Sequence, residues 1–178
     1  MKIEAVLFDM DGLMVDTESL STKALISSAK KQDYEMTKEE TLQVLGFTEA
    51  AIYKFWENYF EDSHVDGKKL ADDHYDYIEE VLFTTGPDKM PNVEELLVYL
   101  KENNYKIAVA SSSNIDHIEN NMKKTRLRKY IDKIASGQEV LNGKPAPDVF
   151  LLAAERLGVK PENCLVLEDS KSGIKAGH

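Results

Sequence analysis

The chain has 178 residues and 42% of them are apolar, enough to bury a core as one sizeable domain or as a core carrying a smaller insert. Its 32 acidic against 22 basic residues give a formal charge of -10, which argues against non-specific binding to nucleic acid or to an anionic membrane face. Any anionic ligand therefore needs a local positive group.

Ile3 to Phe8 is a short apolar run that ends on acid, in "VLFDMDGLMVDTE". It reads as a buried strand, and no apolar stretch in the chain reaches the length of a membrane-spanning helix. That first run is broken by Asp9 and lacks the cleavage pattern of a signal peptide, so the expected location is the cytoplasm. From Thr17 to about Thr85 no strand pattern appears, and several helices in succession are expected, with "TKEE" at Thr37–Glu40 as a capping box. The segment is left through "TTGPDKMP", whose Gly86, Pro87 and Pro91 suit a linker.

Strand and helix then alternate. Val93, Leu96, Leu97 and Leu100 follow a helical period behind Pro91, and Lys106–Ala110 reads as a second strand. A further strand fits around Ile131–Ala135. Phe150, Ala153, Ala154 and Leu157 repeat helically behind Pro147, and Leu165–Leu167 closes the series as a last buried strand. Cys164 in "CLVLED" reads as a small buried hydrophobe, and a single cysteine excludes an intramolecular disulfide. The expected fold is a doubly wound parallel α/β sheet made of residues 1–16 and 86–178, with an all-α insert at 17–85. Its ligand site is expected at the carboxyl ends of the strands.

The polar residues that follow the strands carry the chemistry. Asp9 and Asp11 are two apart, and Gly12 permits a tight turn after them, so the two carboxylates can share one cation. One could act as a nucleophile towards phosphorus while the other moves a proton. In "VASSSN", Ser111 and the neighbouring backbone N–H groups suit phosphate oxygens, Asn114 suits a helix cap, and Ser112 and Ser113 read as capping residues. Lys144 in "NGKPAPD" could neutralise a phosphate together with a charged nucleophile. Glu168 and Asp169 end the last strand as a second acid pair, and oxygen ligands beside a charged substrate suit Mg²⁺.

"FDMDGLMVDTE", "GKPAPDVF" and "LEDS", in that order, resemble the haloacid dehalogenase superfamily, in the subgroup of β-phosphoglucomutase and small-molecule sugar phosphatases. The resemblance runs from Lys2 to Ala176. It implies Asp9 as nucleophile and Asp11 as general acid and base, with Ser111 and Lys144 binding the transferring phosphoryl group. It also implies Mg²⁺ held by the Asp9 carboxylate, the Asp11 backbone carbonyl and Asp169, with Glu168 ligating or supporting. The helical insert would be a cap that excludes water and reads a small phosphorylated metabolite, with Thr17, Gly46 and Glu49 as its candidate contacts.

Mutases of the subgroup carry a histidine and an arginine where this chain has Ser21 and Glu49. The resemblance thus favours a phosphatase over a β-phosphoglucomutase; a phospho-receiver is the non-enzymatic alternative. Resembling proteins continue with a further core strand beside the one that ends on Glu168. Without it an exposed sheet edge and impaired activity are expected, and the oligomeric state is left open. "DSHVDGKKLADD" has the spacing of an EF-hand loop but reads better as a solvated acidic face, and His117 reads as a surface residue. Phe55, Trp56, Tyr59 and Phe60 share a helical spacing and read as insert core.

Overall fold

The computed structural model describes residues 2–45 and 47–178; the expectation placed on Gly46 lies outside them. The chain divides into two compact units, Met1–Asp16 with Gly86–His178, and Thr17–Thr85.

In the first unit, β1 (Ala5–Phe8), β2 (Lys106–Ser111), β3 (Lys133–Ser136) and β4 (Cys164–Leu167) form one parallel sheet. Its order is β3-β2-β1-β4. Alternate side chains point to opposite faces of a strand, and the two faces bury different sets. Val6, Phe8, Ile107, Val109 and Ile134 pack on one side with Val93, Leu97 and Leu100 of α5 (Val93–Glu102) and with Ile118 and Met122 of α6 (Ile115–Lys124). On the other side Ala5, Leu7, Ala108, Ala110 and Ala135 meet Val149, Phe150, Ala153, Ala154 and Leu157 of α7 (Asp148–Leu157). Alanines on the strands of this second face leave room for the Phe150 ring. With helices over both faces and crossovers between parallel strands, the fold is doubly wound α/β.

β4 is an edge strand, and Leu165 is 46% exposed. Cys164 is correspondingly half-buried rather than buried, because β4 pairs on one side only; its Sγ lies 3.5 Å from the Lys160 carbonyl. The last helix, α8 (Lys171–Ala176), is capped by the Ser170 hydroxyl, which accepts from Gly173 N at 3.0 Å.

The second unit contains α1 (Thr17–Lys30), α2 (Lys38–Thr41), α3 (Glu49–Tyr59) and α4 (Gly67–Thr84), and no strand among its described residues. Both arms of the capping box form: Glu40 N donates to Thr37 Oγ1 at 3.3 Å, and Thr37 N donates to the Glu40 carboxylate at 2.7 Å. Trp56 and Phe60 are buried with Leu25, Ile52 and Leu70. Tyr59 departs from the expected core role, since it is 41% exposed and donates its hydroxyl to Glu40 at 2.8 Å. The reason is helical geometry: residues 56 and 60 share one ridge of α3, and residues 55 and 59 share the next. Two acids of the EF-hand spacing have partners within the helical unit. Asp66 caps α4 by accepting from Lys69 N at 2.9 Å, and Asp73 pairs with Lys31 and Lys69. No helix of the described residues is long and apolar enough to cross a membrane.

His74 of α4 is 1% exposed, with Nε2 2.9 Å from Ser21 Oγ and a buried Nδ1 that has no hydrogen-bond partner among the described residues. Burial pushes its pKa down to about 4 from 6.5. The folded state therefore holds a neutral ring, and the unfolded chain binds one more proton between those values. The stability this ring confers is full above pH 6.5 and is lost as the pH falls towards 4, by roughly 3 kcal/mol. Urea unfolding of the wild type and of His74→Leu should show the gap between the two curves changing by about that amount from pH 7 to pH 4; parallel pH profiles would contradict it.

Candidate active site

The strand order reverses at β1, because the chain runs outward through β2 and β3 and then returns to the other side of β1 as β4. Such a switch point leaves a crevice at the carboxyl ends of the two flanking strands. Three acids stand there: Asp9 directly after β1, and Glu168 and Asp169 directly after β4. The backbones stay paired into this region, with Asp9 N donating to the Leu167 carbonyl at 3.0 Å. One carboxylate oxygen from each acid lies within 4.8 Å of the others.

Lys144, from the loop before α7, enters between them. Its Nζ is bonded to Asp9 Oδ1 and donates to Glu168 Oε1 at 2.7 Å. The lysine side chain is 6% exposed, that of Asp9 10% and that of Glu168 3%, so these charges are largely desolvated. Lys144 Nζ also lies 4.8 Å from the centroid of the Phe150 ring. Burial pushes the Asp9 carboxyl up to about 6, against the pull of Lys144. Burial acts upward on Glu168 too, yet Lys144 and the Ser170 amide, which donates at 2.7 Å, together hold it below its ordinary value. Three carboxylates against one ammonium carry two uncompensated negative charges when all are ionised. That charge and an all-oxygen donor set fit a hard divalent cation.

Asp11 takes another direction. Its Oδ2 accepts from Ser113 Oγ at 3.2 Å and from Ser111 Oγ at 3.4 Å, so the Asp11 carboxylate lies outside the group of three. Ser111 ends β2, is fully buried, and accepts from Ser113 N at 3.1 Å. The capping role expected of Ser113 is corrected here: Asn114 caps α6 alone, accepting from His117 N at 2.9 Å, and this frees the Ser113 hydroxyl for Asp11. His117 is exposed, as expected. Thr17 opens α1 and Glu49 opens α3, both in the second unit.

Two glycines make room for the acids. Gly12 has φ +75°, and a Cβ there would stand 2.3 Å from Asp169 Oδ2. A Cβ on Gly173 would stand 1.7 Å from Glu168 Oε1. Sequence reasoning passed over Gly173, for which a glycine inside a short helical segment was the one available signal.

The haloacid dehalogenase-like hydrolase family model matches residues 6–178. A phosphorylated carbohydrates phosphatase from Thermotoga maritima is 34% identical over 184 residues, covering 98% of this chain and 80% of that protein. A solved Thermotoga maritima structure named for β-phosphoglucomutase superposes with a TM-score of 0.83 at 32% identity, over 98% of this chain and 80% of its own. The structure of CbbY from Rhodobacter sphaeroides in complex with phosphate superposes with a TM-score of 0.67 at 25% identity, over 99% and 82%.

Gly173→Ala improves helix propensity at 173 but drives Glu168 out of its place. Titration with Mn²⁺ should show roughly tenfold weaker binding, or more, with the unfolding temperature within a few degrees of wild type. Unchanged Mn²⁺ affinity would contradict the steric argument.

Proposed function

The chain belongs to the haloacid dehalogenase-like hydrolase family, and from that premise we propose that it is a Mg²⁺-dependent phosphatase of a small phosphorylated metabolite, with a sugar phosphate as the favoured class. The observation that carries the reading is the desolvated trio of Asp9, Glu168 and Lys144, joined by the exposed Asp169, at the switch point of the sheet. The similarity to a phosphatase of phosphorylated carbohydrates supports the substrate class.

In this reading Asp9 is the nucleophile. Its carboxylate oxygen bonds to phosphorus while the bond from phosphorus to the ester oxygen breaks, leaving an aspartyl phosphate and an alcohol. Asp11, set by the Ser111 and Ser113 hydroxyls, donates the proton that the departing oxygen needs. It then takes a proton from the water that attacks phosphorus, the Asp9–phosphorus bond breaks, and inorganic phosphate leaves. Lys144 and Ser111 bind the non-bridging oxygens, where negative charge must be neutralised as the two oxyanions approach. Mg²⁺, held by Asp9, Asp169, the Asp11 backbone carbonyl and Glu168, would supply further neutralisation of the phosphoryl charge. Thr17, Gly46 and Glu49 are assigned to substrate reading by the helical unit. Ser21 and Glu49, where mutases carry histidine and arginine, favour release of phosphate over its return to a second hydroxyl.

A panel of phosphorylated metabolites, scored for released phosphate, tests the reading. Asp9→Asn should lower turnover by three orders of magnitude or more, and a chelator should abolish activity that added Mg²⁺ restores. Turnover that survives either treatment would reject the mechanism. Substrate isomerised without net phosphate release would mean a mutase, and a lasting phosphorylated adduct without turnover would mean a receiver.

A further inference from the structure

The ring of Phe150 does more than fill the core. We infer that Phe150 is a positioning residue whose aromatic face holds the Lys144 ammonium at the crevice between β1 and β4; the consequence for phosphoryl binding rests on the reading given above.

Among the described residues Lys144 Nζ contacts Asp9, Glu168 and the Phe150 ring, whose centroid is 4.8 Å away. The first two are carboxylates that the same site would offer to a divalent cation. When they share their charge with a cation, their pull on the ammonium weakens, and the cation itself repels it. The ring face is the one contact of the three that does not compete for the metal. Its attraction for a desolvated ammonium comes from the π quadrupole and is strongest where water is excluded, as it is here with the lysine side chain 6% exposed.

Local structure fixes ring and lysine to each other. Asn142 donates its N and Nδ2 to Asp148 Oδ2 at 3.2 and 3.1 Å, and Ala146 N donates to the Gly143 carbonyl at 3.0 Å. The loop carrying Lys144 is thereby tied to the first turn of α7, two residues before Phe150. The ring is 4% exposed and packs with Leu7, Ala110 and Ala154, so it cannot drift from the sheet. A leucine would fill much of the same volume but offer no π face.

The test replaces Phe150 by mono-, di- and trifluorophenylalanine, which keep the ring's outline while withdrawing its π charge, beside Phe150→Tyr and Phe150→Leu. The probe is inorganic phosphate, read as its inhibition constant against a turned-over phosphomonoester, with KM, kcat and unfolding temperature alongside. Phosphate binding should weaken stepwise with fluorine number, to about three- to tenfold in the trifluoro chain, at an unfolding temperature within a few degrees of wild type. KM should rise with it. Phe150→Tyr should retain binding and Phe150→Leu should lose it. Phosphate affinity that stays flat across the fluorine series, or that falls only in step with unfolding temperature, would overturn the inference. The ring-current shift of the Lys144 side-chain protons gives a readout independent of turnover. It should be upfield in the wild type and vanish in Phe150→Leu. A wild-type chain that neither hydrolyses phosphomonoesters nor binds phosphate would sink the functional reading alone; a missing ring-current shift would sink this inference.

Discussion

Like charges repel, and a fold that sets three carboxylates at the ends of two adjacent strands must answer that repulsion before it can be stable. Here the answer is a single buried ammonium. Lys144 bridges Asp9 and Glu168, residues far apart in the chain, in a place where neither charge is well solvated. In low dielectric such a bridge offsets a desolvation cost of several kcal/mol per ion only when the geometry and the remaining hydrogen bonds are good. The Ser170 amide on Glu168 and the Phe150 ring beneath the lysine supply part of that support. The compensation is incomplete: Asp9 stays raised to about 6, and Asp169 adds further negative charge. What is left over is a demand for a second cation.

The sheet creates the place where this conflict occurs. Parallel strands align their carboxyl ends, and the return of the chain to the far side of β1 brings residues 9 and 168 to neighbouring strand ends. The two glycines then matter through the volume they do not fill. Gly12 leaves space for Asp169 and Gly173 leaves space for Glu168, so the loop after β1 and the helix after β4 each yield to an acid. The Asp11 carboxylate, turned instead to the hydroxyls of Ser111 and Ser113, stands apart from the other three. Two carboxylates two residues apart thus meet different surroundings, which is the condition for giving them different chemical roles.

Local signals in the sequence carried most of the fold. The four strands were legible as short apolar runs ending on polar residues, because buried parallel strands need no alternation. The capping box at Thr37 and the cap at Asn114 were legible because both depend on residues within three positions. Asp9, Glu168, Asp169 and Lys144 stood out as charges that local structure did not need. Features set by distant partners were not legible. Ser113 looks like any serine before a helix until the fold brings Asp11, 102 residues away, against its hydroxyl. Phe150 follows the helical period of a core residue, and nothing local says that an ammonium lies over its face. Tyr59 and Cys164 depart from their sequence expectation for a related reason, since an apolar or aromatic residue reads as buried until the ridge or the sheet edge on which it falls is known.

The central claim is that Asp9, Glu168 and Asp169 act together as one cation site braced by Lys144. Calorimetric titration of the whole chain with Mg²⁺, beside the same titration of Asp169→Asn, bears on it most directly. The account predicts one Mg²⁺ bound per chain in the wild type and at least a tenfold loss of affinity in the variant. A wild-type chain that binds no Mg²⁺, or a variant that binds it equally well, would contradict the account.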